Sequence, residues 1–400
     1  MNSNKDSLTF EGVFVFEHPP CTPYGGLVPC TGYLTARAQW TKNSLVPSQG
    51  VPMPETKLPS TDLAPPDTEL LRRIITETQR PLAIVTTQLD PDSMGASMLM
   101  RKLLRSLGQD AIVCYAGAGN SDPQNQTAFT MCNLAPIFRP KEELPRDAAV
   151  ILLDSAILHD KRWGEEPLDP IIVIDHHDSL LSPSANRWVW IEPRFGATST
   201  MVARLLQVFE VKLTDDDREV ATIGAFGVYN DTRGLLSKTT SLDREMFTEL
   251  MRHGDQRLLQ DLHEFPLPEA YYAFMATAYR TKTIHQAKLI ATVGEMTAHD
   301  NTLLARVATK LVRWEGVYTV IVWGLQDGKL VTVKARTIDR ANDLNDLLHL
   351  HFPGYGGAKG HEGGADIPLG VLAPPNGASC AILLEFLQKL FNDKFGANGS

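Results

Sequence analysis

Three short apolar runs, PLAIVTT (81–87), AAVILL (148–153) and PIIVI (170–174), each give way to an aspartate within three residues. Between and after them lie segments with helical spacing of apolar residues: DTELLRRIITETQR (67–80), SMLMRKLLRSLG (97–108) and STMVARLLQVFE (199–210). A further run, AIVCYAG (111–117), has strand character, and DPDSMGAS (90–97) reads as a loop. Near-continuous apolar strands alternating with amphipathic helices predict an α/β domain. It would hold a mainly parallel sheet with helices on both faces. In such sheets ligands bind beyond the carboxyl ends of the strands, which is where the aspartates fall.

Around this body the chain divides by composition. Residues 1–66 hold 10 of its 26 prolines and read as an extended arm, with one short strand expected at 12–17. The first α/β unit is read over 67–255 and a helical linker over 256–290. A smaller α/β unit over 291–400 is expected to contain a helix ending near Arg313. It would also contain a hairpin turning at Asp327–Gly328, a helix at 342–352, a glycine-rich stretch and a last helix. Four hundred residues are ample for two cores. No apolar run approaches bilayer-spanning length, so no membrane partner is expected. The N-terminal stretch lacks the pattern of a secretory signal, which makes the cytoplasm the expected location. The five cysteines, Cys21, Cys30, Cys114, Cys132 and Cys380, form no CxxC pair, and their odd number argues against a disulfide framework. Cys21 and Cys30 could hold a metal or a disulfide, but nothing nearby completes such a site. Cys114 and Cys380 read as small buried residues. A formal charge of −9 argues against broad duplex binding, but it leaves open an anionic substrate held through cations.

Four acidic groups carry the chemistry: Asp90 with Asp92, Asp154, Asp175 with His176 and His177, and Asp231. All four are read as strand ends. One such aspartate is commonplace as a helix cap. Four converging on one sheet edge would repel one another and take up protons unless divalent cations lie between them. Carboxylates with imidazole suit manganese, and paired ions suit phosphoryl transfer.

In their order and spacing, DPDSMGAS, LLDSA, IDHHDS and GVYNDTRG resemble the motifs of the RecJ-like DHH phosphoesterase superfamily, over roughly residues 70–397. The resemblance implies two bound Mn²⁺ ions, or Mg²⁺ or Co²⁺ in their place. Asp90 would bind the first ion and Asp92 the second; Asp154 would bridge them, and His176 and Asp231 would complete the second. His177 would face the substrate phosphate, with Asp175 orienting a neighbouring histidine. Hydrolysis by a metal-bound hydroxide follows from that arrangement. PGYGGAKGHEGGAD (353–366) resembles the glycine-rich, Gly-His-bearing run of the DHH-associated C-terminal domain, although Ala358 and Lys359 interrupt it. Gly360 and His361, with Arg336 upstream, would then contact substrate. No basic Arg-Lys-Lys cluster of the manganese pyrophosphatase kind is present. The expected activity is therefore hydrolysis of short oligonucleotides or nucleotide phosphates, as in the oligoribonuclease and 3′-phosphoadenosine-5′-phosphate phosphatase group. A pyrophosphatase or exopolyphosphatase, or a binding protein with a degenerate metal site, is the alternative, and a homodimer is left open. One departure concerns the first ion. Thr86 stands where the superfamily usually has histidine, and Gln88 stands where another branch has a carboxylate. If the strand continued, positions 86, 88 and 90 would share a face, and a weak first site is expected.

Overall fold

The computed structural model describes residues 63–117, 122–184, 187–339, 341, 343–374 and 380–396. The strand expected at 12–17, Cys21 and Cys30 lie outside these residues. In chain order the first lobe contains α1 (Thr68–Glu77), β1 (Leu82–Thr86), α2 (Pro91–Ser106), β2 (Ala111–Tyr115), α3 (Pro123–Met131) and β3 (Phe138–Pro140). There follow β4 (Ala149–Leu153), β5 (Pro170–Asp175), β6 (Trp188–Ile191), α4 (Thr198–Val208), α5 (Arg218–Asp231), α6 (Ser241–Met251) and α7 (Gln256–His263). The strands form one sheet, in the order β3-β2-β1-β4-β5-β6. Every pair is parallel. The order reverses between β1 and β4, and a doubly wound sheet opens its crevice at such a reversal.

Side chains alternate across the sheet. Leu82, Ile84, Val113, Ile151, Leu153, Ile172 and Ile174 face one core, which takes its remaining members largely from the helices. Ala83, Val85, Cys114, Val150, Leu152 and Val173 face the other. Among the described residues that second face is closed by connecting chain, through Leu144, Leu158, Trp163, Leu168 and Leu181, rather than by a long helix. The α/β class is as the sequence implies, and the helices are concentrated on one face.

Two local expectations need correction. DPDSMGAS is not a loop, because α2 begins at Pro91. Proline lacks the N–H that a first helical residue leaves unpaired, and its fixed φ suits that position. Asp90 and Ser93 close a capping box around it. Gly95 and Gly227 are needed where α2 and α5 pack. A Cβ on Gly95 would lie 2.7 Å from the Ile223 carbonyl oxygen, and one on Gly227 would lie 2.4 Å from Ser199 Oγ. Asp231, for its part, ends a helix, not a strand.

The second lobe contains α8 (Glu269–Thr281), β7 (Thr283–His285), β8 (Lys288–Met296), α9 (Asn301–Leu311), β9 (Thr319–Gln326) and β10 (Leu330–Thr337). After them come α10 (Leu344–His351), β11 (Gly356–Lys359), β12 (Glu362–Pro368) and α11 (Ala381–Gly396). Its sheet runs β11-β12-β10-β9-β8-β7, and β8–β9 is the parallel pair. Asp327 and Gly328, with φ of 52° and 66°, make the β9–β10 turn, as a hairpin of this kind requires. Helices α8 and α9 cover one face, and α10 and α11 cover the other. The stretch read as a helical linker holds α7 and α8, but also β7 and the start of β8, which belong to this sheet. The glycine-rich run is a β-hairpin, not an open loop. A Cβ on Gly356 or Gly363 would meet Leu348 at 2.7 or 2.5 Å, so these glycines admit α10. Gly360, at φ 63°, begins the two-residue turn with His361. Both lobes belong to one compact unit spanning Ser60–Ser400.

Candidate metal centre

The carboxyl ends of β1, β4 and β5 and the C-terminus of α5 meet at the crevice. Asp92 lies in the first turn of α2 and is 1% exposed. Its Oδ2 accepts from the Thr198 N–H at 2.7 Å and its Oδ1 from the Ser199 N–H at 2.8 Å. Helix α4 has Ala197 at its N-cap, with no side-chain cap of its own. The carboxylate of Asp92 thus takes two of the N–H groups that a helix start leaves unpaired, and the positive end of the helix favours its charge.

Asp154 follows β4 with a φ of 58°, a left-handed backbone that non-glycine residues seldom adopt. Its N–H donates to the Ile174 carbonyl, and its Oδ1 accepts from Thr198 Oγ1 at 3.0 Å. His176 lies just past β5, with Nδ1 3.3 Å from the Phe195 carbonyl oxygen. That carbonyl can only accept, so the proton belongs on Nδ1 and Nε2 presents a lone pair. Nε2 is buried without a hydrogen-bond partner. It lies 3.5 Å from Asp231 Oδ2, 3.6 Å from Asp154 Oδ1 and 3.8 Å from Asp92 Oδ2. Two donors each about 2.1 Å from one cation lie about 3 to 3.5 Å apart. The three nitrogen–oxygen distances are close to that. Asp92, His176 and Asp231 offer ligand atoms within 4.8 Å of one another, as do Asp154, His176 and His177, and an orphaned imidazole nitrogen facing carboxylates fits a divalent ion.

Without an ion, burial and the same crowding raise the proton affinity of Asp231, Asp154 and Asp90. Burial, then the charges of Asp92 and Asp90, push Asp231 up to about 8. Burial first and then Asp92, Asp90, Asp231 and Asp175 raise Asp154 well above the usual carboxylate range. Burial also raises Asp90, partly opposed by the Ser93 N–H that its side chain accepts.

His177 differs from His176. Its Nδ1 is 2.8 Å from Asp175 Oδ1, and its own N–H donates to the same oxygen. Asp175 is buried, while the His177 side chain is 47% exposed. The Asp175 hydrogen bond raises the proton affinity of His177. With Nδ1 engaged, His177 is better placed to present Nε2 to a substrate than to join Asp154 and His176 as a ligand. Lys359 of the second lobe is near enough to oppose that shift.

Of the sequence candidates, Asp92, Asp154, His176 and Asp231 come together, with His177 and Asp175 beside them. Asp90 caps α2 with the carboxylate that was expected to hold the first ion. Strand β1 ends at Thr86, so positions 86, 88 and 90 do not share a strand face. The Thr86 hydroxyl donates to the Gln88 carbonyl, and the Gln88 side chain is exposed. Neither supplies a replacement donor. Arg336, Gly360 and His361 lie in the second lobe, on β10 and at the β11–β12 turn. Sequence reading missed Thr198, Ser199 and the Phe195 carbonyl, which orient Asp92, Asp154 and His176. It also missed Asp243, buried at the foot of this turn, which accepts from the Gly196 N–H and Thr200 Oγ1. The backbone contacts have no residue signature. A buried aspartate at the third position of α6 looks in sequence like an ordinary capping box.

Residues 82–228 match the N-terminal domain of the DHH family. No curated protein matches the chain. Among solved structures, an exopolyphosphatase-related protein from Bacteroides fragilis is 15% identical with a TM-score of 0.58, covering 82% of this chain and 96% of that one. RecJ from Thermus thermophilus in complex with Mn²⁺ is 13% identical with a TM-score of 0.47, covering 84% of this chain and 55% of that one. A putative family II inorganic pyrophosphatase from Methanococcus jannaschii is 14% identical with a TM-score of 0.38, covering 78% of this chain and all of that one. No helix among the described residues is long and apolar enough to cross a membrane.

Proposed function

We propose that this chain, whose residues 82–228 match the N-terminal domain of the DHH family, is a divalent-metal-dependent phosphoesterase acting on short oligonucleotides or nucleotide phosphates. The observation that carries this reading is the buried, unpartnered Nε2 of His176 facing Asp92, Asp154 and Asp231. Those four residues would hold one ion, with Asp90 and Asp154 contributing to a second. Bound Mn²⁺ or Mg²⁺ supplies Lewis acidity and a water acidic enough to act as a nucleophile near neutral pH. The chain's own residues do the rest. Asp175 fixes the His177 ring so that its exposed edge can donate to a phosphoryl oxygen. Thr198 and the start of α4 hold the carboxylates in place before any ligand arrives.

The choice of nucleotide over pyrophosphate rests on the second lobe. It offers Arg336 and the Gly360–His361 turn and lacks a basic Arg-Lys-Lys cluster. The poverty of the first-ion set favours a slow enzyme with a high metal requirement. Metal-stripped protein should hydrolyse a 5′-phosphorylated dinucleotide on adding Mn²⁺, and pyrophosphate poorly. Preference for pyrophosphate would transfer the reading to the alternative, and no turnover on either would leave a metal-binding protein. Thr86→His should tighten binding at one ion site and raise turnover. Two equally tight sites in the wild type would contradict a weak first site.

A further inference from the structure

Arg233 follows Asp231 by two residues, in the left-handed turn that ends α5, with a φ of 51°. Its guanidinium leaves the first lobe and places NH2 3.2 Å from Glu362 Oε1. Glu362 is the first residue of β12, immediately after the Gly360–His361 turn, and is paired in register with Arg336. Its other oxygen, Oε2, lies 3.3 Å from Arg336 NH2. Arg336 is held firmly: Nε donates to Thr309 Oγ1 at 3.1 Å, NH1 donates to the Ala335 carbonyl at 2.9 Å, and its side chain is 14% exposed. One half-exposed carboxylate therefore joins two guanidinium groups, one from each lobe.

We propose that Glu362 is an internal stand-in for a terminal phosphate of the substrate, and that the substrate's phosphate displaces it to be held by Arg233 and Arg336 together. Three features support this. Arginine forks match phosphate oxygens, and a phosphate monoester offers more charge and more acceptors than one carboxylate. Arg233 and Glu362 are both half or more exposed, and such an ion pair contributes little to stability, so exchange at Arg233 is inexpensive. At the largely buried Arg336 the incoming phosphate replaces the negative charge it displaces. Glu362 is an exposed residue at the first position of β12, so its side chain can swing out without unpacking a core. A substrate able to bridge the arginines would bring its phosphate beside the segment that carries Asp231. Until then, Glu362 screens the two arginines from stray anions.

The inference rests on the preceding reading that the cleft takes a nucleotide anion, and it is tested apart from catalysis. AMP binding to the metal-stripped protein is measured by calorimetry for the wild type, Glu362→Gln, Arg233→Ala and Arg233→Lys. Removing the competing charge should tighten AMP binding about three- to tenfold, the scale of an exposed charge pair. Arg233→Ala should weaken it by a similar factor, and Arg233→Lys should restore part of the loss. Unchanged or weaker binding in Glu362→Gln, or unchanged binding in Arg233→Ala, would overturn the proposal. Dinucleotide hydrolysis is followed alongside. If the wild type turns over but these affinities do not move, the clamp fails and the enzyme stands. If affinities move as stated and nothing is hydrolysed, the clamp stands and the enzymatic reading fails.

Discussion

Asp92 and Asp231 face the same imidazole nitrogen, yet they bear opposite relations to stability. Asp92 accepts two backbone N–H groups of α4. In Asp92→Asn one oxygen can still accept, but the amide leaves the second N–H without a partner, at a cost of about 1–3 kcal/mol. We expect a lower Tm and lost Mn²⁺ binding. Asp231 is buried among like charges. Asp231→Asn should also lose the ion, yet raise the Tm of the metal-free protein near neutral pH, because the native state no longer has to hold a proton on a carboxyl group that ionises freely when unfolded. Thermal unfolding of both variants in chelator checks this; equal shifts would mean that the carboxylates are not crowded as described. At Asp154 the backbone decides the choice of variant. Asn tolerates its left-handed φ and Ala does not, so Asp154→Asn should fold normally while losing bound metal. Asp154, Asp175, His176 and His177 are legible in sequence because they directly follow apolar runs of strand length. Their roles were less so. Asp90 makes a capping box that looks the same in sequence whether or not it also meets an ion. The hydroxyl of Thr86 turns to a carbonyl two residues on, which no periodicity foretells.

Helix α2 carries Asp92 against the start of α4, and both pack on α5, so the geometry of the site depends on how closely these helices approach. Gly227 of α5 is the tightest point, since an added Cβ would meet Ser199 Oγ at 2.4 Å and the Asp92 Cα at 3.0 Å. Gly227→Ala should destabilise the protein by about 1–3 kcal/mol through overpacking. It should also weaken Mn²⁺ binding, because the atoms displaced are those that seat Asp92. A loss of stability with unchanged metal affinity would separate the helix contact from the site. At this scale the parallel sheet was legible because β1, β4 and β5 are unbroken apolar runs of strand length. The short edge strand β3 was missed, as were β6 and its tryptophans. The start of α2 reads as a loop in sequence because its glycine and aspartates mimic one. There, the proline after Asp90 was the better guide.

Across the whole molecule, the raised carboxylates make the metal-free protein sensitive to pH. Asp231 binds its proton more tightly folded, at about 8, than unfolded, near the model-peptide value of about 3.9. Between those values the native state holds more protons than the unfolded one. Its contribution is therefore full at low pH, declines as pH rises, and is gone above about 8. In chelator the Tm should fall from about pH 5 to about pH 8, and saturating Mn²⁺ should remove or reverse that slope. The two-lobe organisation was legible from the DG turn and the late helices, but the pairing of Arg233 with Glu362 across the lobes was not, since the two lie 129 positions apart. The most direct measurement is dinucleotide hydrolysis by metal-stripped protein, followed as Mn²⁺ is added, with bound metal determined in the same samples. Turnover should be absent at zero metal, rise only as the weaker ion binds, and fail to appear in Asp154→Asn. Full turnover in chelator with metal content verified as nil would contradict a metal centre at His176.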